Sequence, residues 1–272
     1  MRFYYANAHL KQAKIAILGL PFDRTSSFIP GSRFGPQFIR QSSDNIEDYS
    51  LYHKKSLLSM AICDLGDHAF DYSKPLEEIE NNVLRIYRLR KKGIFLGGEH
   101  TITLGIVRAL RKIYKNLCVI QFDAHADLRD DFQGEKICHA TVMKRVTEII
   151  GRDNLFQLGI RSGLRKEIAG ARSLFRFSVL EHLSRVRKTI GARPVFLSID
   201  VDVLDPGILP AVATPEPGGI TYQELVTSLV ELKSLHLIGA DVVEFNPLAA
   251  APFPSGSVVA GLLKELILCF KR

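Results

Sequence analysis

The residues with the clearest chemical potential lie at the end of one apolar segment. Residues 118–122 are apolar and rich in β-branched side chains, which predicts a strand buried on both faces. Asp123, His125 and Asp127 follow it at a spacing of two. Side chains two apart in extended backbone point to the same side, so we expect these three to converge just past the strand. A carboxylate after a strand is often only a turn or helix cap, but a cap needs one side chain rather than three.

A second apolar segment ends in the same way. Residues 194–199 predict another buried strand, and Asp200 and Asp202 follow it. Four carboxylates brought together with an imidazole would repel one another unless a cation lay between them. Oxygen donors with an imidazole suit Mn²⁺, Mg²⁺ or Zn²⁺, and a carboxylate-rich set favours Mn²⁺. The two segments together therefore predict a metal site.

The elements that must position these residues alternate along the chain. We predict strands at 13–20, 58–65, 93–96, 118–122, 155–160, 194–199 and 237–245. We predict helices at 36–42, 75–92, 101–116, 139–151, 178–190, 221–233 and 255–270. This alternation indicates a mostly parallel sheet covered by helices on both faces, with sites at the carboxyl ends of the strands. No shift in composition indicates a linker, so we predict a single domain over 1–272.

The composition is typical of a soluble globular protein. Of the 272 residues, 46% are hydrophobic and 24% are charged. The four cysteines show no CxxC spacing, which favours a reduced, cytoplasmic protein. The N-terminus lacks the apolar core of a signal peptide, and no apolar run reaches the length of a membrane span. The net charge of +7 is spread over several predicted helix faces, which argues against nucleic-acid binding.

Motifs along nearly the whole chain resemble those of the ureohydrolases, the family of arginases and agmatinases. They are PFDRTSSFIPGSRFGP at 21–36, GGEH at 97–100, DAHAD at 123–127, SIDVDVLDP at 198–206, TPEPGG at 214–219 and VEFNP at 243–247. The pair of DAHAD and SIDVDVLDP is highly specific. The resemblance implies a three-layer α/β/α fold, hydrolase activity on linear amidines and two Mn²⁺ ions per chain. It also implies assembly as a homotrimer or homohexamer.

The resemblance further implies which residues hold the ions. Six metal ligands are expected, namely His100, Asp123, His125, Asp127, Asp200 and Asp202. Asp123 and Asp200 would bridge the two ions. His100 and Asp127 would bind one ion only, and the two remaining residues would bind the other. Glu99 would lie beside these ligands without binding an ion.

The same resemblance implies the roles of the catalytic residues. Two ions would lower the pKa of a water molecule towards ~7, so that it attacks a guanidinium carbon and releases an amine and urea. Asp127 would carry a proton to the leaving amine, His139 would exchange protons with solvent, and Glu244 would pair with the guanidinium. His139 could instead be a polar residue at a helix N-terminus, and Glu244 an ordinary carboxylate at a strand end.

The identity of the guanidino substrate is less constrained by the sequence. TPEPGG at 214–219 resembles agmatinases rather than arginases. Asp130, Asp131 and Glu135 in the loop 128–136 would attract the distal ammonium of agmatine and repel a carboxylate, unless that loop is simply a solvated surface. We expect conversion of agmatine into putrescine and urea, a step of polyamine biosynthesis. The alternative substrates are guanidinobutyrate, N1-aminopropylagmatine, arginine and formiminoglutamate.

Two other classes of function stay open. A catalytically silent family member could bind a ligand or act as a scaffold, but such a chain is expected to lose a metal ligand, and all six positions are filled. A deacetylase-like amidohydrolase would use one Zn²⁺ with fewer carboxylates. The number of ions bound per chain separates that class from a ureohydrolase.

Overall fold

One sheet of eight parallel strands forms the centre of the molecule. The computed structural model describes residues 1–270. Its strands, in chain order, are β1 (Ile15–Leu20), β2 (Tyr49–Ser50), β3 (Lys55–Ser56), β4 (Ile62–Asp67), β5 (Lys92–Gly97), β6 (Cys118–Phe122), β7 (Leu155–Ile160), β8 (Leu174–Arg176), β9 (Pro194–Asp200) and β10 (His236–Val243). The sheet has the order β4-β1-β5-β10-β9-β6-β7-β8, and β2 and β3 form a separate short hairpin. The predicted parallel sheet is therefore confirmed.

Helices cover both faces of this sheet. They are α1 (Gly35–Ser42), α2 (Pro75–Arg88), α3 (Ile102–Ile113), α4 (Val142–Ile150), α5 (Arg165–Gly170), α6 (Leu180–Ile190), α7 (Tyr222–Leu232) and α8 (Pro252–Cys269). Buried side chains of α1, α6, α7 and α8 belong to one apolar core, and those of α2, α3 and α4 belong to a second. The fold thus has three layers, α/β/α, as predicted.

The central strands alternate between these two cores. On β6, Ile120 and Phe122 pack in the core under α6, α7 and α8, whereas Val119 packs in the core under α2, α3 and α4. Each strand is therefore buried on both faces, which explains the nearly continuous apolar runs of the sequence. The strand order also places β5, β10, β9 and β6 side by side, so that four strand ends meet near the middle of one edge.

The start of β4 differs from the predicted strand at 58–65. Leu57–Ser59 form a 3-10 turn instead, and the side chain of Ser56 accepts a hydrogen bond from the Leu58 N–H. This local cap competes with extended structure, because a serine hydroxyl offers the backbone an alternative partner. The strand therefore begins at Ile62 and continues past the predicted end at Leu65 to Asp67.

Helix α5 and strand β8 are not predicted by the sequence pattern. α5 has no apolar periodicity, and it depends on contacts from outside the helix. The carboxylate of Glu167 accepts hydrogen bonds from the N–H groups of Leu164 and Leu128. The carboxylate of the helix's own Glu167 therefore ties α5 to backbone that is distant in sequence, and periodicity does not record such a contact.

Thr221 and Glu224 have the spacing of a capping box at the start of α7, and half of that motif forms. The hydroxyl of Thr221 accepts the Glu224 N–H over 3.0 Å, as expected of an N-cap. The Glu224 carboxylate, however, accepts hydrogen bonds from the Ser178 hydroxyl and the Val179 N–H, at 2.7 and 3.0 Å. Glu224 therefore caps the neighbouring helix α6 instead of its own.

By length and composition, α8 is the one helix within residues 1–270 that could cross a membrane. Its mean hydropathy is 1.2 over 18 residues, and 61% of that window is buried against the rest of the fold. Burial of this kind is typical of the core helix of a globular domain.

Candidate metal centre

Four adjacent strands bring the candidate site together. β5, β10, β9 and β6 are neighbours in the sheet. Their carboxyl ends lead to His100, Glu244, Asp200 and Asp123, respectively. Because parallel strands end at the same edge of a sheet, residues distant in sequence meet at this edge.

His100 lies at the centre of the first group of candidate ligands. Its Nδ1 is 3.2 Å from Oδ2 of Asp123, 3.2 Å from Oδ2 of Asp127 and 3.4 Å from Oδ2 of Asp200. Ligand atoms of His100, Asp123 and Asp200 all lie within 4.8 Å of one another. The structure therefore brings together the four residues that the motif resemblance assigns to one ion.

Asp123 also belongs to a second group, with His125 and Asp202. Nδ1 of His125 is 2.8 Å from Oδ2 of Asp202 and 3.7 Å from Oδ1 of Asp123. Ligand atoms of these three residues likewise lie within 4.8 Å of one another. Oδ2 of Asp123 faces the first group and Oδ1 faces the second, which is the orientation that a bridging carboxylate requires.

Asp127 reaches the site by a route that differs from the prediction. Its φ of 53° is left-handed, so the segment after β6 turns instead of continuing as extended backbone. The carbonyl of Asp127 accepts a hydrogen bond from the Lys144 N–H over 3.1 Å, which ties this turn to helix α4. The expectation of extended backbone through Asp127 is therefore wrong, although its carboxylate does reach His100.

The buried carboxylates cannot all be charged without a cation. Burial, with repulsion from Asp202 and Asp127, raises the pKa of Asp123 to about 7. Burial, with repulsion from Asp202 and Asp123, raises the pKa of Asp200 well above its ordinary value. Burial alone would lower the pKa of His125, but the Asp202 carboxylate raises it to about 11. A divalent cation bound here would release the protons that these groups otherwise hold.

A buried nitrogen without a partner shows that these residues fit a metal ion. Within residues 1–270, Nδ1 of His100 has no hydrogen-bond partner although three carboxylates face it. The other ring nitrogen, Nε2, lies 2.9 Å from the hydroxyl of Ser198. A nitrogen lone pair facing several carboxylate oxygens is the donor set of a divalent transition-metal ion.

Contacts behind His100 settle which of its nitrogens carries the proton. Ser198 donates its hydroxyl hydrogen to Oδ1 of Asp241 over 2.7 Å, and Thr103 donates to Oδ2 of the same carboxylate over 2.7 Å. The Ser198 oxygen is thus left to accept from Nε2 of His100. With the Nε2 proton held in this way, Nδ1 would present its lone pair to a cation bound among the carboxylates.

Glu244 has a strained backbone at the cavity wall. Its φ is 66°, in the left-handed region that is costly for a non-glycine residue, and strain of this kind clusters at functional sites. Its N–H donates to the Gly98 carbonyl over 2.8 Å, and its Oε1 accepts the His100 N–H over 2.6 Å. Burial, with repulsion from Glu99, raises the pKa of Glu244 well above its ordinary value.

A loop from the N-terminal part of the chain holds His139. Nε2 of His139 is 3.1 Å from the hydroxyl of Ser27, and its N–H donates to Oγ1 of Thr25 over 3.2 Å. Thr25 in turn donates its N–H and its hydroxyl to Glu99, each over 2.8 Å. Glu99 thus positions the loop that contacts His139. Burial of the His139 ring lowers its pKa.

Except for Asp123, which is fully buried, the candidate ligands line one cavity of about 220 Å³ together with His139 and Glu244. Its acidic side chains are Asp127, Glu167, Asp200, Asp202, Glu216 and Glu244. Counted over residues 1–270, Arg129 is the only lysine or arginine that lines it. Oε1 of Glu216 lies 2.8 Å from the hydroxyl of Ser162 and 3.7 Å from Nε2 of His125. The excess of carboxylates favours a positively charged ligand.

The acidic loop 128–136 contributes to this cavity in a different way from the prediction. Asp130 lies 3.2 Å from Nζ of Lys144 and lines a separate cavity of about 180 Å³. Arg129 and Phe132 line the candidate site instead. Neither of the loop's other acidic side chains lines it, so the predicted attraction of an ammonium group has no support from this loop.

Several residues that hold the ligands are missed by the sequence reasoning. Gln121 and Gln157 lie inside apolar strands, and the Gln121 side chain donates a hydrogen bond to Asp123. Arg161 follows β7 and donates to the backbone carbonyl of Asp202. The available signal was a polar residue within an otherwise apolar strand, because such a residue needs a buried partner.

Comparisons with known proteins agree with this geometry. Residues 13–269 match the arginase family. The chain is 36% identical to an agmatinase of Bacillus cereus over 275 residues, which is 98% of this chain and 95% of the relative. It is 34% identical to an N(1)-aminopropylagmatine ureohydrolase of Thermococcus kodakarensis, with 90% of each chain covered. The solved structure of the agmatine ureohydrolase of Thermoplasma volcanium has a TM-score of 0.90 and 32% identity, covering 98% of this chain and 93% of that one.

A parallel α/β/α fold with an acidic, histidine-bearing cavity at its strand ends defines this protein as a hydrolase of linear amidines. The chain belongs to the arginase family. Within that family it is a ureohydrolase that resembles agmatinases, which confirms the resemblance carried by its motifs.

Proposed function

We propose that this ureohydrolase converts agmatine into putrescine and urea, with two Mn²⁺ ions bound per chain. The observation that carries the proposal is the clustering of six ligand-type side chains at the acidic cavity that Glu244 also lines. Agmatine has a positive charge at each end, so an acidic cavity attracts it. The proposal includes a role in polyamine biosynthesis in the cytoplasm, as a single-domain chain that forms a homotrimer or homohexamer.

The six ligands divide between the two proposed ions. Asp123 and Asp200 would contribute to both, His100 and Asp127 to one, and the two remaining ligands to the other. Four carboxylates balance the charge of two divalent cations, which supports two ions rather than one. When bound, such a pair supplies a water molecule whose pKa is lowered from 15.7 towards about 7.

Glu244 is the proposed partner of the guanidinium group. Its Oε1 is fixed by the His100 N–H at 2.6 Å, and it lines the cavity beside the ligands. A carboxylate paired with a planar guanidinium holds both the charge and the plane of that group. Glu244 thereby orients the carbon that water attacks.

Asp127 and His139 are the proposed proton carriers. Asp127 lines the cavity and is the ligand whose carboxylate is available to hold the proton that the leaving amine takes. His139 lines the same cavity, and the Ser27 hydroxyl lies 3.1 Å from its ring. Burial favours the neutral imidazole of His139, which is the form that accepts a proton.

The direct test is urea release by purified protein over a panel of guanidino compounds. The protein would be stripped of metal, reloaded with Mn²⁺, Co²⁺ or Zn²⁺, and assayed with agmatine, arginine and guanidinobutyrate. We expect two metal ions per chain and the highest kcat/KM for agmatine with Mn²⁺. A higher kcat/KM for arginine would reject the substrate, and one Zn²⁺ per fully active chain would reject the dinuclear site. Full metal content without urea release from any compound would favour a catalytically silent protein.

N1-aminopropylagmatine is the second candidate substrate. The relative from Thermococcus kodakarensis named for that substrate is nearly as similar as the Bacillus cereus agmatinase, at 34% and 36% identity. Both compounds present a guanidinium group to Glu244 and a cationic chain to the acidic wall. Adding N1-aminopropylagmatine to the same panel distinguishes them by kcat/KM.

A further inference from the structure

A row of buried polar side chains crosses the sheet just below the candidate ligands. Gln157 on β7 pairs with Gln121 on β6, Gln121 pairs with Ser198 on β9, and Ser198 pairs with Asp241 on β10. None of the four is more than 2% exposed. Burying polar groups among apolar strands is unfavourable unless each finds a partner, so this row indicates a specific purpose.

Two side chains of the row, Ser198 and Asp241, form the hydrogen bonds that hold the ring of His100. The other two, Gln121 and Gln157, lie on the side of Asp123. Nε2 of Gln121 donates to Oδ2 of Asp123 over 2.5 Å, and Oε1 of Gln121 accepts from Nε2 of Gln157 over 2.6 Å. A chain of two amides thus ends on the one carboxylate that belongs to both candidate ligand groups.

The orientation of both amides follows from their partners. The Gln121 nitrogen also lies 3.4 Å from the carbonyl of His125, and the Gln157 nitrogen lies 2.6 Å from the carbonyl of Ala126. A carbonyl oxygen only accepts, so a nitrogen must face it in each case. The direction of donation is therefore from Gln157 to Gln121 and from Gln121 to Asp123.

We propose that Gln121 and Gln157 are positioning residues that hold the carboxylate of Asp123 with one oxygen towards each metal ion. The inference rests on the proposed function, because it takes Asp123 as the bridging ligand. The contact on Oδ2 is complemented by the His125 N–H, which donates to Oδ1 over 2.5 Å. Both oxygens are thereby held from outside the metal site, one by a side chain and one by the backbone.

An amide suits this position better than a charged donor. Four carboxylates already balance two divalent cations, so an added lysine or arginine would compete with the ions for Asp123. A neutral amide orients the carboxylate and leaves its full charge for the metals. Gln157 does not contact Asp123 directly, so it acts on that carboxylate only by fixing the amide of Gln121.

The test is the affinity of the metal-free protein for Mn²⁺, measured by equilibrium dialysis on the full chain. Partners of metal ligands typically change affinity by 10- to 100-fold when removed. We expect Gln121→Leu to weaken Mn²⁺ binding within that range and Gln157→Leu to weaken it less. Because Gln157 acts through Gln121, the double variant should bind Mn²⁺ no more weakly than Gln121→Leu alone.

Controls separate positioning from a general loss of stability. Ser228→Ala removes a fully buried hydroxyl on α7, away from the cavity, and should leave Mn²⁺ affinity unchanged. The metal-free unfolding midpoint is compared for every variant. If Gln121→Leu does not fold, the Mn²⁺ affinity of Gln157→Leu is the test. Wild-type affinity in Gln121→Leu, or additive losses in the double variant, would overturn the inference. Failure of the wild-type chain to bind Mn²⁺ would instead overturn the proposed function.

Discussion

Arg161 is bonded to the backbone of Asp202, with Nη2 of the guanidinium donating to the Asp202 carbonyl over 2.7 Å. The same guanidinium donates to the carbonyl of Glu216 over 2.9 Å and to that of Val203 over 3.2 Å. One side chain thus joins the segment after β9, which carries a candidate ligand, to the loop that forms part of the acidic wall. The planar fork of arginine makes this possible, because several donors leave it in fixed directions.

We therefore predict that Arg161→Lys weakens the site although the charge is kept. Lysine has no planar fork and cannot reach both backbone segments at once. The loss of hydrogen bonds from a charged donor should lower the free energy of unfolding by about 1.5–3 kcal/mol and reduce kcat/KM for urea release. Denaturant unfolding and the urea assay measure the two effects. Arg172→Lys, at an exposed position, is the matched control, and equal behaviour of the two variants would contradict the prediction.

A second prediction concerns the charge of Glu244. Gln at this position keeps an acceptor for the His100 N–H but loses the negative charge that would pair with the guanidinium. Removing one partner of a buried charge pair costs about 2–5 kcal/mol, so kcat/KM should fall by at least about 30-fold. Metal analysis should give unchanged Mn²⁺ content. If Glu244→Gln lost metal while retaining activity per bound ion, Glu244 would be a ligand support and not the substrate partner; Glu231→Gln is the surface control.

A third prediction concerns proton transfer by His139. His139→Asn should lower kcat by roughly 100-fold or more, because general acid–base groups typically contribute 10²–10⁴-fold. KM should change much less, since the ring is not proposed to bind the guanidinium. Added imidazole should restore part of the rate if the ring carries protons. No rescue, together with a loss of stability relative to the exposed-site control His9→Asn, would indicate a structural role.

The fourth prediction is a dependence of stability on pH that arises far from the cavity. Burial, with the nearby charges of Lys233 and Lys55, lowers the pKa of His53 from 6.5 to about 4. The folded state thus prefers the neutral ring, so the contribution of His53 is complete above pH 6.5 and is lost as pH falls towards 4. The loss should not exceed about 3 kcal/mol.

Unfolding by urea between pH 7.5 and pH 4.5 measures this contribution. The metal-free wild type should lose more stability over that range than His53→Gln, whose side chain does not titrate. Comparing the slopes isolates His53, because the buried carboxylates are common to both proteins. His236→Gln, at an exposed site, should keep the wild-type slope. Parallel curves for His53→Gln and the wild type would refute the assignment.

The fifth prediction compares two carboxylates near the substrate. Asp130 pairs with Lys144 and lines a separate cavity, whereas Glu216 lines the candidate site. Glu216→Gln should therefore raise KM for agmatine several-fold more than KM for guanidinobutyrate, as expected for loss of one partly exposed charge. Asp130→Asn should leave the ratio of the two KM values unchanged. If the ratio changed in Asp130→Asn and not in Glu216→Gln, the substrate would contact the loop 128–136 and the prediction would be wrong.

The strands that build the site were predictable because their sequences are unambiguous. β6 and β7 have the predicted limits, and β9 ends one residue later than predicted, since continuous apolar runs end abruptly at polar residues. Helix α5 was not predictable, because the Glu167 carboxylate holds it through contacts with distant backbone. Local pattern identifies an element only where the element does not depend on its neighbours.

The same limit applies to the candidate site. Spacing at strand ends indicated five of the ligand-type residues, the motif resemblance added His100, and the structure brings all six within one cluster. Asp127 arrives through a left-handed turn that spacing does not encode. Ser27 contacts His139 across 112 positions of sequence, so no local pattern could have paired them. Candidate ligand residues can therefore be identified from the sequence, whereas the residues that contact them depend on the fold.

The polar row across β7, β6, β9 and β10 also bears on how the sheet assembles. A slip of one residue in the pairing of a strand moves every side chain to the opposite face. For β6, such a slip would move Gln121 into the apolar core under α6, α7 and α8. Its amide would then be buried without a hydrogen-bond partner. The hydrogen-bonded row therefore penalises misaligned sheets during folding, and the only alignment that satisfies it is the one that assembles the ligands.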